Sequence, residues 1–120
     1  MGVVSGESEG VLMTETDIMN QIRVALSPYC AVFRVNVGLC YTKDGRPMRT
    51  GVPPGFSDLF GHRKSDGRAF YIEVKTKDGK VSDKQVPFLE RMAVDGAIVG
   101  VCRSPEDALR LIGVDVNETG

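Results

Sequence analysis

The chain has 120 residues, of which 42% are apolar and 26% charged, and a net charge of −1, which together predict one soluble globular domain with a buried core. No apolar run approaches the roughly 20 residues of a membrane span, and the N-terminus lacks the features of a signal peptide, so we expect a cytoplasmic protein with no membrane partner. One histidine, His62, and three cysteines without a CxxC pair exclude the familiar zinc sites and every mechanism that needs two histidines.

The chain begins with a segment rich in Gly, Ser and Glu. Residues 1–10 are therefore predicted to be a mobile tail, and residues 11–120 a single domain. A helix is predicted to begin after Thr14, its N-cap, because apolar residues then recur at helical spacing. Pro28 is expected to end this helix.

Three strands are predicted in the middle of the chain, at residues 30–37, 56–61 and 69–76, from their apolar and β-branched composition. Residues 38–55 are expected to be irregular, with a loose hairpin around Asp44 and Gly45 as one form that this stretch can take. A turn at residues 64–67 is predicted to join the second strand to the third.

The C-terminal third alternates helix, strand and helix. A second helix is predicted from Ser82 to near Gly96, and a strand covered on both faces at residues 97–102. Ser104 as N-cap and Pro105 in the first turn predict the start of a last helix. The order is thus α-β-β-β-α-β-α, which predicts an α/β fold with a mixed β-sheet flanked by helices.

The chemistry concentrates on the strand at residues 69–76. Alternation along it places Tyr71, Glu73 and Lys75 on one face. Antiparallel pairing about the turn at residues 64–67 sets Asp58 opposite Glu73, to within one residue. Because opposed like charges are destabilising, this pair suggests a cation between the two carboxylates, and hard divalent ions such as Mg²⁺ prefer carboxylate and carbonyl oxygens.

Two further candidates each have a simpler explanation that the sequence leaves open. Glu15 continues the buried stripe of the first helix, which predicts a paired or metal-bound carboxylate, but an acid in a first turn is also favoured by the helix dipole. Gln85 leads the apolar stripe of the second helix and so faces the sheet. It also completes a capping box with Ser82, which needs no function.

Charge is distributed unevenly along the chain. Residues 33–91 hold 12 Lys and Arg against 7 Asp and Glu, whereas the other residues hold 3 against 9. This asymmetry fits a basic nucleic-acid-binding face and equally fits basic residues gathered in exposed loops. The candidate DNA-binding residues are Arg34, Lys43, Arg46 and Arg49.

Three motifs in order resemble those of a known nuclease superfamily. GFSDL at residues 55–59, IEVKT at residues 72–76 and SDKQ at residues 82–85 resemble the PD-(D/E)xK nucleases, and more narrowly their VRR-NUC (virus-type replication-repair nuclease) branch. The segment FRVNVG at residues 33–38 resembles the first-strand pattern of that branch. Ser57 stands where the superfamily name implies Pro.

The resemblance implies a PD-(D/E)xK nuclease core and assigns roles within it. Asp58, Glu73 and the Val74 carbonyl are expected to bind Mg²⁺ or Mn²⁺, and Glu15 to complete the site. Lys75 is expected to orient or help deprotonate the attacking water and to stabilise the developing negative charge. Gln85 is counted with these catalytic residues.

The same resemblance implies a stand-alone DNA endonuclease of phage or bacterial origin. Members reduced to this domain resemble homodimeric resolvases of four-way DNA (Holliday) junctions, so a homodimer acting on branched DNA in replication, repair or recombination is expected. Two alternatives stay open: a nucleic-acid-binding module of the same fold that no longer cuts, and an RNA-directed or restriction-type nuclease.

Overall fold

The structure, a computed structural model, describes residues 13–35, 37–52 and 55–115. The predicted tail at residues 1–10 lies outside this part of the chain. The described helices are α1 (Glu15–Leu26), α2 (Gln85–Val94) and α3 (Pro105–Leu111). The described strands are β1 (Cys30–Arg34), β2 (Val37–Tyr41), β3 (Pro47–Gly51), β4 (Leu59–Arg63), β5 (Ala69–Val74) and β6 (Ile98–Cys102).

Four of the strands form one mixed sheet in the order β1-β4-β5-β6. The β1–β4 and β4–β5 pairs are antiparallel, whereas β5 and β6 are parallel and are connected through α2. The predicted α/β fold class, a mixed sheet flanked by helices, is confirmed. No helix in the described ranges combines the length and the apolarity that crossing a bilayer requires.

The structure has two strands that the predicted element order lacks. These strands, β2 and β3, pair with each other as a separate antiparallel hairpin. Of the two forms expected for residues 38–55, the hairpin around Asp44 and Gly45 is confirmed, and the irregular form is wrong. A regular turn closes the hairpin: Thr42 N–H donates to the Arg46 carbonyl at 2.8 Å, and Gly45 takes a φ of +85°. The sequence indicates the turn of this hairpin through Asp44 and Gly45 but not the bounds of its strands, because Pro47–Gly51 lacks the apolar alternation of a strand that covers a core.

The ends of α1 and α3 follow the predicted capping signals. The Thr14 hydroxyl accepts from Asp17 N–H at 3.0 Å, and the Asp17 carboxylate accepts from Thr14 N–H at 3.2 Å. At α3, the Ser104 hydroxyl accepts from Asp107 N–H at 3.1 Å, with Pro105 in the first turn. Each cap satisfies backbone donors that the helix itself leaves free.

The core lies between one face of the mixed sheet and helices α1 and α3. Strand alternation turns Phe70, Ile72 and Val74 of β5 to this face, where all three are fully buried. Burial of such a side chain contributes about 1.5–3 kcal/mol. The same cluster includes Leu59, Ile98 and Cys102 from the sheet, Ile18, Met19, Ile22 and Leu26 from α1, Ala108 from α3, and Ile112, which directly follows α3.

The opposite face of the sheet carries aromatic side chains that pack beneath α2. Phe56 lies at the centre of this group, with ring centroids 4.5 Å from Phe88 of α2 and 5.9 Å from both Phe60 and Tyr71. Phe33 on the edge strand β1 extends the group through Phe60, at 5.4 Å. Glu73 lies two residues after Tyr71, so strand alternation directs it to the same face, under α2.

Candidate active site

Asp58 and Glu73 meet where β4 begins and β5 ends. Leu59 pairs with Ile72, so extending the register by one residue sets Asp58 opposite Glu73, as the turn position predicted. The predicted strand ends are wrong, because β4 begins at Leu59 rather than residue 56 and β5 ends at Val74 rather than residue 76. The Asp58 carboxylate accepts from Val74 N–H at 2.8 Å, so a side chain takes the place of a strand carbonyl there.

Glu73 is almost completely buried, with 1% of its surface exposed. One carboxylate oxygen, Oε2, accepts a hydrogen bond from Gln85 Nε2. The other, Oε1, has no hydrogen-bond partner, and it is the one such buried side-chain atom in the described residues. A buried carboxylate with an unpartnered oxygen is unfavourable unless a cation binds it or a proton neutralises it.

Burial and the neighbouring carboxylate both act on the titration of Glu73. Removal from solvent, followed by the negative charge of Asp58, raises the pKa of Glu73 to about 8. The Lys75 ammonium acts in the opposite direction and lowers the pKa of Glu73, but by less. The pair therefore holds a proton at neutral pH unless another cation replaces it.

Lys75 lies between two acids. Its Nζ is 3.8 Å from Glu73 Oε2 and 3.9 Å from Glu15 Oε2. Its side chain is 13% exposed, whereas that of Glu15 is 47% exposed, so the expectation that Glu15 continues the buried stripe is wrong. Glu15 lies in the first turn of α1, before the buried residues of that helix, and its contact with the site is the ion pair with Lys75.

Gln85 contacts both the site and the chain before its helix. Its Oε1 accepts from Ser82 N–H at 2.9 Å, and its Nε2 donates to Glu73. The first bond is half of the predicted capping box. The predicted helix start is wrong, because α2 begins at Gln85 after Lys84, which forms no side-chain cap. The Gln85 side chain thus combines the two roles that the sequence left open: it faces the sheet, where it contacts Glu73, and it forms half of a capping box.

A glycine brings the Asp58 segment close to α2. Gly55 has a φ of +91°, and a Cβ on it would lie 2.7 Å from the Lys84 carbonyl oxygen. Only glycine adopts this conformation readily and permits this approach. The first residue of the GFSDL motif therefore lets the chain before Asp58 pack against the residue before Gln85. Ser57, in the same segment, is buried, and its hydroxyl donates to the Leu59 carbonyl at 2.9 Å.

The donor set fits a hard divalent cation. Asp58 and Glu73 supply two carboxylates, and Glu73 Oε1 is buried without a partner. No three His, Cys, Asp or Glu side chains converge as a metal site in the described residues, so Glu15 does not form a third carboxylate with this pair. Mg²⁺ needs only one or two carboxylates when water and substrate oxygens complete its octahedron.

The candidate DNA-binding residues lie apart from this cluster. Lys43 and Arg46 are exposed in the turn of the β2–β3 hairpin, where Arg46 forms an ion pair with Asp44 at 3.0 Å. Arg49 lies in β3, and its side chain is outside the described part of the structure. Arg34 is exposed and pairs in register with Leu59, which places it on the sheet face opposite Glu73.

Arg103, which follows β6, contacts the site segment although the sequence did not predict it. Its guanidinium donates to the Thr76 carbonyl at 2.7 Å and also to the carbonyls of Lys77 and Gly79, in the segment directly after Lys75. The available signal was the position of a basic residue at the end of a buried strand parallel to β5. Nothing in the local sequence indicates which backbone such a residue would contact.

Comparison with known proteins identifies the family of the chain. The family model of the VRR-NUC domain matches residues 34–106, a range that holds Asp58, Glu73, Lys75 and Gln85 and leaves out Glu15. A solved structure described as a VRR_NUC domain is 21% identical, with a TM-score of 0.59 over 83% of this chain and 96% of that one. No protein of curated function matches the chain in sequence. The model match extends over more than half of the chain, which therefore belongs to the VRR-NUC domain family and has its nuclease-type fold.

Proposed function

We propose that the protein is a metal-dependent endonuclease that hydrolyses phosphodiester bonds in DNA. One observation carries the proposal: the buried Glu73 carboxylate keeps an unpartnered oxygen opposite Asp58 and beside Lys75. An unpartnered buried acid destabilises a fold, so its presence in the motif of a nuclease-type family suggests a functional role. The described residues form no alternative site of this kind.

In this proposal, Asp58, Glu73 and the Val74 carbonyl hold Mg²⁺ or Mn²⁺. When bound, the cation supplies Lewis-acid stabilisation of phosphate charge and activation of water. The two carboxylates satisfy the preference of hard cations for oxygen donors. A cation bound by the pair would also offset the burial and the Asp58 charge that together raise the pKa of Glu73.

The chain's own residues contribute the remaining steps. Lys75 carries the charge that orients the attacking water and stabilises the negative charge developing on the phosphate. Gln85 holds Oε2 of Glu73 in place, which leaves Oε1 available to bind a cation. Glu15 also pairs with the Lys75 ammonium, at 3.9 Å, and so limits its motion. No serine, cysteine or histidine nucleophile is required.

The finer substrate assignment rests on the family. We propose a homodimer that acts on branched DNA, four-way junctions above all, in replication, repair or recombination. A two-fold dimer presents the same site to two strands, which suits such a substrate. The basic side chains of Arg34, Lys43, Arg46 and Arg49 are proposed to contact the DNA backbone.

The test is a substrate panel incubated with the full chain. Labelled linear duplex, flap and four-way junction DNA, with matched RNA duplex and single strands, are each incubated with Mg²⁺, Mn²⁺ or EDTA. We expect strand cleavage of DNA that EDTA abolishes and that is fastest on the four-way junction. Equal rates on linear duplex contradict the structural selectivity, and preferential RNA cleavage contradicts the substrate class. Tight binding without cleavage in either metal indicates the non-cutting binding module instead.

Oligomeric state is measured on the same preparation. Sedimentation equilibrium over a hundredfold range of concentration should give twice the mass of the 13.0 kDa chain. A monomer at the concentration that cuts the four-way junction contradicts the dimer and leaves the chemistry of the site untouched.

A further inference from the structure

Two consecutive residues at the end of β6 hold the backbone around Lys75. The carbonyl of Cys102 accepts from Lys75 N–H at 3.1 Å, and the guanidinium of Arg103 donates to the Thr76 carbonyl at 2.7 Å. The peptide between Lys75 and Thr76 is therefore flanked on both sides by bonds from neighbouring positions of one strand end. Both bonds lie outside the regular sheet, since β5 ends at Val74.

Arg103 also organises the turn that follows. Its Nη1 is within hydrogen-bonding distance of the carbonyls of Lys77 and Gly79 as well as that of Thr76. The turn is closed internally by Gly79 N–H, which donates to the Thr76 carbonyl at 3.1 Å. Three carbonyls thus converge on one cationic nitrogen, and charge-assisted bonds of this type are stronger than neutral ones.

The arginine is itself anchored from the other direction. Arg103 N–H donates to the Asp107 carboxylate at 2.9 Å, and Asp107 N–H donates to the Ser104 hydroxyl at 3.1 Å. The first turn of α3 therefore fixes the backbone of Arg103. Within the described part of the chain, the guanidinium of Arg103 contacts carbonyls and forms no ion pair with an acid.

We propose that Arg103 is a positioning residue for Lys75. By clamping the backbone from Thr76 to Gly79, it sets where the Lys75 side chain begins and so keeps the ammonium between Glu73 and Glu15. The inference rests on the proposed function, in which Lys75 acts at the reacting phosphate. Displacement of a reacting group by about 1 Å can lower a rate roughly 100-fold.

The first arm of the test needs no catalytic activity. Arg103→Gln removes the charged guanidinium with little loss of volume, whereas Arg103→Lys keeps a positive charge but not the planar guanidinium. The matched control is Arg68→Gln, because Arg68 Nε–H donates to the Gly96 carbonyl at 3.0 Å at the other end of the sheet. Native-state trypsin digestion is followed by mass spectrometry at Lys77 and Lys80, the cleavage sites in and after the clamped turn.

We expect cleavage after Lys77 and Lys80 to rise at least tenfold in Arg103→Gln, less in Arg103→Lys, and not at all in Arg68→Gln. If all three variants are cut at the wild-type rate, the guanidinium does not hold this segment and the proposal is overturned. If Arg103→Gln does not fold, the same comparison between Arg103→Lys and the wild type decides the question.

The second arm asks whether the clamp acts through Lys75. On the DNA that the wild type cuts fastest, Arg103→Gln should lower kcat roughly 10- to 100-fold, with KM changed less than twofold. In a Lys75→Ala background the same substitution should cause no further loss in the residual rate.

Each result bears on a stated part of the proposal. Wild-type kcat in Arg103→Gln overturns the positioning role, as does a loss that persists unchanged in the Lys75→Ala background, because a purely structural effect would do the same. A wild-type protein that cuts no substrate overturns the proposed function instead, and the trypsin arm alone then decides whether Arg103 holds the Lys75 segment.

Discussion

The site end of the mixed sheet and the β2–β3 hairpin are both rich in charged residues, but these residues are held in different ways. Glu73 is contacted by Gln85 and Lys75 and lies opposite Asp58, on three separate segments of the chain. In the hairpin turn, the side-chain bonds among Thr42, Asp44 and Arg46 join residues at most four positions apart.

The two regions therefore differ in how firmly their side chains are positioned. A side chain fixed from several elements keeps its geometry without a ligand, which general acid–base and metal chemistry require. A two-stranded hairpin that pairs only with itself is marginally stable in water and can follow the shape of a partner. We therefore expect substitutions at the sheet end to change the rate of cleavage, and substitutions in the hairpin to change the binding of DNA.

The largest expected effect comes from the site itself. Glu73→Gln, Asp58→Asn and Lys75→Ala should each reduce cleavage at least about 1,000-fold, about 4 kcal/mol in the barrier, because each removes a charge at the reacting centre. The control is Glu90→Gln, an exposed acid on α2, which should stay within twofold of the wild type. Circular dichroism checks the fold. Near wild-type cleavage by Glu73→Gln contradicts the assignment.

Gln85→Glu should have the next largest effect. Glutamate can still accept from Ser82 N–H but cannot donate to Glu73, and it adds a negative charge to the pair. We expect a rate roughly 10- to 100-fold lower and an altered Mg²⁺ dependence, with a smaller change in melting temperature. Gln21→Glu, in the exposed part of α1, is the matched control. An active Gln85→Glu protein with unaltered Mg²⁺ dependence would assign Gln85 to capping alone.

The buried acid also predicts how stability depends on pH in EDTA. Between pH 4.5 and about 8 the folded protein keeps the Glu73 proton, because its pKa is raised from 4.5 to about 8, whereas the unfolded chain has lost it. The folded state thus binds more protons, so the free energy of unfolding should fall as pH rises, by at most about 1.4 kcal/mol per unit. Urea unfolding of the wild type and of Glu73→Gln measures this, and equal slopes in the two proteins contradict it.

Two glycines with similar backbones compare the two regions directly. Gly55 and Gly45 have φ values of +91° and +85°, but a Cβ on Gly55 would collide with the Lys84 carbonyl, whereas one on Gly45 meets nothing within 4 Å. Gly45→Ala should therefore cost only backbone strain, about 1–3 kcal/mol confined to the hairpin, and leave cleavage of a short duplex unchanged. Gly55→Ala should lower both melting temperature and kcat, because it moves Asp58 away from Gln85. Equal losses in the two variants would show that strain alone is responsible.

The same division explains what the sequence could predict. The caps of α1 and α3 depend on residues three positions apart, so Thr14 and Ser104 sufficed to place them. The position of Asp58 opposite Glu73 followed from one tight turn. These features depend on residues that are close in sequence or joined by one turn, so capping signals and the spacing of apolar residues predict them.

At the candidate site, the errors arose where residues contact segments that are distant in sequence. The strand ends moved because the Asp58 side chain binds Val74 N–H, and Glu15 is exposed because its partner is Lys75 rather than the core. Arg103 donates to carbonyls 24 to 27 residues earlier in the chain. Contacts of this kind have no periodic signature, so a single sequence does not reveal them.

The smallest expected effect lies in the hairpin and concerns binding. Lys43 and Arg46 are exposed in its turn, and Arg46 is paired with Asp44, so part of its charge is already balanced. Removing one basic side chain that binds a phosphate should flatten the plot of log K against log salt by about 0.9 units. Lys43→Ala/Arg46→Ala should therefore reduce the slope by between about one and two units while kcat at saturating DNA stays unchanged.

The control for this measurement is Arg91→Ala, because Arg91 forms an ion pair of similar exposure with Asp95, at 3.2 Å, on α2. Titrations at several salt concentrations on one DNA compare the two proteins. If the hairpin touches the DNA backbone, only its double variant changes the slope, since a surface ion pair by itself contributes little to stability. An unchanged slope in both would mean that the hairpin is only a solvated arm. An equal change per charge removed, so that the control changes half as much as the double variant, would mean that total charge rather than the hairpin governs binding.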